Sequence, residues 1–331
     1  WLKPFWLKLF RAEGTRRPPR RAHFAPVPAP SGSSRPMASN GADSSPPQAR
    51  TEELRSGPPL SVPSFDLSGG HYIVTGATQG LGLEIARQLQ KIGAAKLALL
   101  SRTKANGEAA AKELSVGGCT AIFVQADMAD PDSLQKAAAE AIKVLDGRVD
   151  GLVNAAGITD RGNLAETTAD MFDKQMAVNA RAPFLMTQAV SNHLIEHKAR
   201  ASIVNISSIA AKGGAPFIMA YSASKAALNV LTANNAAELA PHGIRVNAIN
   251  MGWTYTDNEN ALMVKKAGAD WIHEADQKLP LKRLMRPVDV ACTACFLLSP
   301  AAQMMTGNIL DLHPDTALGM LSLKTVDSIE R

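Results

Sequence analysis

From Phe65 onward, short apolar runs alternate with longer amphipathic stretches. His71–Thr75 is the first run. After a glycine-rich turn, Leu81, Ile85, Leu89 and Ile92 recur at helical spacing. The same alternation predicts strands at Lys96–Leu100, Ala121–Gln125, Val149–Val153, Ser202–Ile206, Ile244–Ile249 and Asn308–Leu312. Helices are predicted over about 104–114, 169–197, 221–240 and 288–298. A further one opens with Asp130 as cap and Pro131 at its first position, and carries Leu134, Ala138, Ala141, Ile142 and Leu145 on one stripe. Strands this short and continuously apolar are buried on both faces, which implies a parallel sheet with helices on either side. The expected fold class is α/β: a single doubly wound domain over residues 65–331, with a seven-stranded parallel sheet.

Residues 1–64 break this pattern. Positions 11–64 are rich in Pro, Ser, Arg and Gly and show no hydrophobic period, so a disordered leader is expected. Two readings of residues 1–36 stand: an organellar transit peptide, or an upstream extension with Met37 as the true start. The expected location is cytoplasmic, or plastid or mitochondrion if the leader is a transit peptide. The net charge of +5 belongs to this leader, since eight Lys or Arg face one acid, Glu13, within residues 1–36. The body is slightly acidic and has no basic patch, so no nucleic-acid partner is expected. No run of 18 apolar residues occurs, so no membrane span is expected. Cys292 and Cys295 form a C-x-x-C inside an apolar helical run with no second ligand pair, which reads as packing and not metal binding.

Chemistry enters with the turn Thr75-Gly-Ala-Thr-Gln-Gly-Leu-Gly82. A helix N-terminus offers unpaired N–H groups, and Gly76, Gly80 and Gly82 let a pyrophosphate approach the backbone. At the end of the second strand stand Ser101 and Arg102, where a carboxylate would bind the ribose 2′-hydroxyl of NAD. A guanidinium there suits a 2′-phosphate, so NADP(H) is favoured over NAD(H); the competing reading is a surface arginine. Asp127, after the third strand, reads either as an acceptor for the adenine amino group or as a helix cap. Tyr221 and Lys225 stand at i and i+4 on one helix face. An ammonium nearby would lower the tyrosine pKa and make it an acid and base near neutral pH. Ser207 and Ser208 end the fifth strand, and Asn154-Ala-Ala-Gly157 ends the fourth. Ligands of doubly wound sheets bind at those strand ends, which gathers all three groups at one crevice.

The order and spacing of Thr75–Gly82, Asn154–Gly157, Asn179 in Val-Asn-Ala, the Ile-Ser-Ser strand end and Tyr221-x-x-x-Lys225 resemble the short-chain dehydrogenase/reductase family, a compact Rossmann-type fold, over residues about 65–315. The resemblance implies hydride transfer between a carbonyl and an alcohol. By it, Tyr221 is the proton donor or acceptor, Lys225 holds the nicotinamide ribose and lowers the Tyr221 pKa, and Ser208, ahead of Ser207, orients substrate. Asn179 supports a water relay, the alternative being a helix-kink or core residue. It also implies cofactor contacts from Gly76, Thr78, Gly80, Leu81, Gly82, Ser101, Arg102, Asp127, Met128, Asn154, Ala155, Gly157, Tyr221 and Lys225. After the sixth strand the sequence departs from the family pattern, with Met251 in place of Pro; Gly252, Thr254 and Thr256 keep the spacing for carboxamide contacts. A homodimer or homotetramer through the helices at about 169–197 and 221–240 is likewise implied.

Substrate choice is expected from residues about 253–285, where Trp253, Tyr255, Met263 and Trp271 would wall a pocket and Asp257, Glu259, His273 and Glu274 would be solvated. The expected partner is a small carbonyl or alcohol. Three readings remain open: a carbonyl reductase or alcohol dehydrogenase, a 3-oxoacyl carrier-protein reductase or sugar/polyol dehydrogenase, and, from another class, an inactive NADP(H)-binding scaffold.

Overall fold

The computed structural model describes residues 64–313. The expectations for residues 1–63 lie outside the described residues. Seven parallel strands form one sheet: β1 (His71–Thr75), β2 (Lys96–Ser101), β3 (Thr120–Gln125), β4 (Gly151–Asn154), β5 (Ala201–Ser208), β6 (Ile244–Met251) and β7 (Ile309–Leu312). Their order is β3-β2-β1-β4-β5-β6-β7. The chain builds outward from β1 to β3, then crosses back to place β4 beside β1. That reversal leaves a crevice at the carboxyl ends of β1 and β4, where connections depart in opposite directions.

Neighbouring strand residues serve opposite faces. Tyr72, Val74, Leu97 and Leu99 join one buried cluster, with Ile85 and Leu89 of α1 (Gly80–Lys91) and Val290, Ala294 and Leu297 of α9 (Pro287–Leu298). Ile73, Ala98, Leu100 and Leu152 join the other. It packs on α3 (Pro131–Val144), α5 (Ala182–Glu196) and α6 (Met219–Leu239) through Leu134, Met186, Val190, Leu194 and Leu239. Period-two alternation is thus present, but both faces are apolar, so the sequence shows only continuous runs. α2 (Lys104–Leu114) flanks β2 and β3.

Element bounds follow the predicted ones closely, with three informative differences. Asp130 caps α3 as expected, accepting from the Asp132 amide at 3.0 Å, with Pro131 at the first position. The helix expected over 169–197 is α4 (Ala169–Met176) and α5, joined by a π-helical turn, Ala177–Arg181, that contains Asn179. From Met176 to Met186 the sequence is apolar apart from Asn179 and Arg181, so no helical period marks the one-residue slip. Residues 253–285 are not a plain loop: they hold α7 (Asp257–Ala267) and α8 (Trp271–Lys278). β5 starts one residue earlier than predicted, at Ala201, and ends with Ser207 and Ser208, which pair with Asn250 and Met251 of β6.

Only one cysteine of the C-x-x-C packs into the core. Cys295 is buried and its thiol is pushed up to about 12 by desolvation, while Cys292 is exposed on the next turn. No cluster of three metal-ligating side chains exists among the described residues. No helix among them is long and apolar enough to cross a membrane.

Candidate active site

Thr75, the last residue of β1, ties the crevice together. Its hydroxyl oxygen accepts from the amides of Ala155 and Ala156, both at 3.1 Å. The Asn154–Gly157 loop is thereby held against the glycine turn. Gly76 has φ +68°, and a Cβ there would come within 2.8 Å of the Ala156 Cα, so this position needs glycine for both conformation and space. α1 then starts at Gly80 with Gln79 as a cap that supplies no side-chain hydrogen bond, and no acid occupies the first turn. The helix-end N–H donors are left for an anion, and nothing lies within 4 Å of where a Gly80 Cβ would be. A pyrophosphate fits these features. Leu81 is half-buried against the first core cluster, and Gly82 is buried.

The Thr78 hydroxyl donates to the Ser101 hydroxyl at 2.9 Å, bringing the glycine turn and the end of β2 together, with Arg102 exposed beside them. Asp127 is exposed, and its Oδ1 accepts from the Ala129 amide at 2.9 Å, a local turn rather than a helix cap. Met128 turns its side chain into the second core cluster, which leaves its backbone for any contact outside. The Asn154 side chain points away from the crevice. Its Nδ2 donates to Asn205 Oδ1 at 2.8 Å and to the Thr187 hydroxyl at 3.4 Å, cross-linking β4 to β5 inside the protein. The Asn154 amide nitrogen thus has a role in the sheet, while its buried Oδ1 has no hydrogen-bond partner.

Tyr221 lies in the first turn of α6 and Lys225 one turn on. The Tyr221 phenol is hydrogen-bonded with Ser208 and Thr159. Ser208, not Ser207, is the serine at the phenol: the Ser207 hydroxyl is buried and donates to the Lys225 carbonyl at 3.3 Å. Ser208 Oγ also accepts from the Ala210 amide at 3.1 Å, which fixes its rotamer. Lys225 is buried; its Nζ donates to the Ile206 carbonyl at 2.7 Å and lies 5.8 Å from the Tyr221 ring centroid. A Cβ on Gly157 would come 3.5 Å from that Nζ and 3.4 Å from Asn179 Oδ1, so the β4 loop, Asn179 and Lys225 meet at one point.

The electrostatics correct one expectation. Burial raises the Tyr221 phenol above the ordinary tyrosine range, outweighing the hydrogen bonds from Ser208 and Thr159 that favour the phenolate; the Glu259 carboxylate pushes the same way as burial. The Lys225 ammonium is itself desolvated. Burial lowers it to about 8, and its proton is directed at Ile206.

Asn179 spends its amide on the neighbouring chain. Oδ1 accepts from the Ile158 amide at 2.9 Å, and Nδ2 donates to the Ile158 carbonyl at 2.9 Å and the Ser224 hydroxyl at 3.0 Å. Ser224 donates in turn to the Tyr221 carbonyl at 2.7 Å. The π-helical turn thus holds the β4 loop and the Tyr221 turn in one polar chain. Helix irregularity and site geometry coincide at this residue.

Beyond β6, Gly252 donates to the Leu312 carbonyl at 2.9 Å, and a Cβ on it would overlap the His313 side chain. Thr254 is buried with its hydroxyl donating to the Gly252 carbonyl at 3.0 Å, and Thr256 caps α7 by accepting from the Glu259 amide at 3.1 Å. Both hydroxyls thus have local work. Trp271 is 2% exposed and, with Ala275 of the same helix, packs α8 against Leu284, so it belongs to a small core cluster. Glu259, expected in solvent, instead accepts from Arg161 Nη2 at 3.1 and 3.3 Å and from Trp253 Nε1 at 2.9 Å. Asp257, His273 and Glu274 are exposed as expected. Thr159, Arg161 and Glu259 were missed in the sequence. Thr159 and Arg161 directly follow the Asn154–Gly157 motif at a strand end, which is the signal that marks them.

The comparisons with known proteins agree with this geometry. A family profile described as enoyl-(acyl carrier protein) reductase matches residues 76–313. The chain is 33% identical to the 5-keto-D-gluconate 5-reductase of Escherichia coli K12 over 246 residues, covering 74% of this chain and 94% of that one. It is 32% identical to the 3-oxoacyl-[acyl-carrier-protein] reductase of Staphylococcus epidermidis, covering 73% and 96%. A solved structure provisionally assigned as an NAD(P)-dependent gluconate 5-dehydrogenase from Beutenbergia cavernae, with NADP bound at low occupancy, superposes with a TM-score of 0.70 at 32% identity, covering 77% and 99%. With its sheet order, its glycine turn and its Tyr221–Lys225 turn beside Ser208, the chain belongs to the short-chain dehydrogenase/reductase family of oxidoreductases, acting on alcohol and carbonyl groups with a nicotinamide dinucleotide.

Proposed function

We propose that this protein is an NADP(H)-dependent reductase in which Tyr221 gives the proton and the substrate carbonyl becomes an alcohol. The observation that carries this reading is the Tyr221 phenol hydrogen-bonded with Ser208 at the crevice beside the glycine turn, and kept protonated by burial. When bound, the reduced nicotinamide supplies a hydride to the carbonyl carbon. The carbonyl π pair moves onto oxygen, and that oxygen takes the phenolic proton of Tyr221. Ser208 donates to the same oxygen and holds the carbonyl toward Tyr221. Lys225, buried beneath the phenol, stabilises the phenolate left behind. Asn179 is a positioning residue, acting through Ile158 and Ser224. Reprotonation of Tyr221 from solvent returns the site to its starting state.

Gly76, Gly80 and the N-terminus of α1 would hold the pyrophosphate, and Arg102 with Ser101 and Thr78 the adenosine 2′-phosphate. The absence of a carboxylate at the end of β2 supports NADP(H), as does NADP in the Beutenbergia cavernae structure. Ala155 and Gly157 would leave room for the nicotinamide ribose, Asp127 and the Met128 backbone would meet the adenine, and Gly252, Thr254 and Thr256 would border the carboxamide.

The test is NADPH oxidation against ketones, aldehydes, sugars and acyl thioesters. Tyr221→Phe is expected to lose activity by at least about 10²-fold, the usual scale of a general acid, while still binding NADPH. Turnover retained in Tyr221→Phe sinks the assignment, and NADPH binding without any turnover points to the scaffold reading.

A further inference from the structure

One polar cluster at the crevice is left unexplained by hydride transfer. Arg161 and Glu259 come from distant parts of the chain, the loop after β4 and the first turn of α7. They form an ion pair at 3.1 Å with side chains 30% and 21% exposed. Both ends are anchored near the reacting group. Arg161 lies two residues beyond Thr159, which is hydrogen-bonded with Tyr221. Its guanidinium sits 5.7 Å from the Phe217 ring centroid, four residues ahead of Tyr221, and the next residue, Gly162, donates to the Phe217 carbonyl at 2.9 Å. Glu259 is held by the Thr256 cap and by Trp253, whose ring is tilted against buried Trp271 at 5.5 Å.

The chemistry of this cluster is specific. The pair is neutral overall, so it gives a carboxylate head group no net attraction. Glu259 engages only Nη2, which leaves Nε and Nη1 of Arg161 as donors among the described residues. The Glu259 carboxylate keeps lone pairs to accept, and Trp253, 41% exposed, offers an indole face. Donors, acceptors and an aromatic face together suit a chain of carbons bearing hydroxyl groups; an alkyl or acyl chain would leave the ion pair desolvated without partners. We propose that Arg161, Glu259 and Trp253 form the specificity subsite of this enzyme, and that they select polyhydroxylated ketones over acyl thioesters and plain alkyl ketones. The proposal rests on the reductase reading above and names its substrate class.

Three carbonyls, each with a four-carbon ketone portion, test it with NADPH: erythrulose, 2-butanone and the N-acetylcysteamine thioester of acetoacetate. Wild type is expected to favour erythrulose in kcat/KM. Glu259→Gln and Arg161→Leu are expected to cut that preference about tenfold or more, through KM for erythrulose, with 2-butanone little changed, because a site built around a hydroxyl is left unpaired without it. A clasp that only holds α7 in place would lower all three substrates together. Independently of turnover, erythritol added to the NADP+ complex should change tryptophan fluorescence in wild type and in Tyr221→Phe, but not in Trp253→Phe or Glu259→Gln. A wild-type preference for 2-butanone or the thioester, equal losses on all three, or a fluorescence response that survives Glu259→Gln would each overturn the subsite. An erythritol response without turnover of any carbonyl would instead count against the reductase reading and leave the subsite standing.

Discussion

Tyr221 and Lys225 show how one helical turn changes two ionisations in ways that their spacing alone does not dictate. Burial holds the phenol protonated, so in the cofactor-free protein its tyrosinate absorbance should emerge only above the ordinary tyrosine range. The measurement is the difference titration between wild type and Tyr221→Phe; a signal at neutral pH would contradict it. The acid form is the one reduction consumes, so reduction should hold through neutral pH and fall as pH passes the Tyr221 pKa, while oxidation rises. Lys225 carries a stability signature. Its folded pKa of about 8 lies below the usual 10.5, so between those values the unfolded chain binds more protons. Stability of the cofactor-free protein therefore rises with pH across that window. Lys225→Met should remove this slope and, at pH 7, relieve a desolvation cost on the order of 3 kcal/mol; urea unfolding at pH 7 and pH 10 measures both. At the end of β2, Arg102→Ala should reduce the preference for NADPH over NADH about tenfold or more, the worth of a charge-assisted hydrogen bond. An unchanged ratio would remove Arg102 from the 2′-phosphate site.

At the scale of elements, the glycine turn and the substrate segment respond differently to mutation. Gly76→Ala puts a Cβ against the Ala156 backbone at a positive φ. Neither chain can retreat, because Thr75 pins the β4 loop through two amides. The expected result is a loss on the order of 1–3 kcal/mol with NADPH binding abolished, checked by chemical unfolding and cofactor titration. Trp271→Ala should act locally. The small cluster of Trp271, Ala275 and Leu284 is separate from the two cores on the sheet. Truncation should cost that cluster about 3–5 kcal/mol. Limited proteolysis within residues 257–285 should accelerate, while the main unfolding transition moves less.

The whole molecule places its crevice where the sheet reverses, between β1 and β4, with β2 and β5 next to them in the sheet. A ligand bridging both halves stabilises the fold by mass action. NADPH at a hundredfold over its dissociation constant should add about 2.7 kcal/mol to unfolding, and NADH at the same concentration less. Thermal unfolding with each nucleotide compares them directly; an equal shift would argue against a 2′-phosphate site.

Much of this architecture was legible in the sequence because it rests on local rules. Asp130-Pro131 announces a helix start in two residues, the glycine turn states its own conformation, and short apolar runs separated by helical stripes imply a parallel sheet. Tyr221, Ser208, Lys225 and Asn179 stand out in the sequence through the order and spacing of several motifs together, since Tyr-x-x-x-Lys alone carries little. What only the tertiary structure decided are matters of long-range contact. The π-helical slip at Asn179 falls in a nearly continuous apolar run that carries no helical period to reveal it. The direction of the Tyr221 shift depends on how much protein surrounds the phenol, and the inward turn of Asn154 depends on Asn205 and Thr187 being there. The pairing of Arg161 with Glu259 joins residues 98 positions apart. Charge, polarity and helical periodicity mark each as ordinary on its own; desolvation and proximity, which exist only once the sheet has brought the loops together, give them their roles.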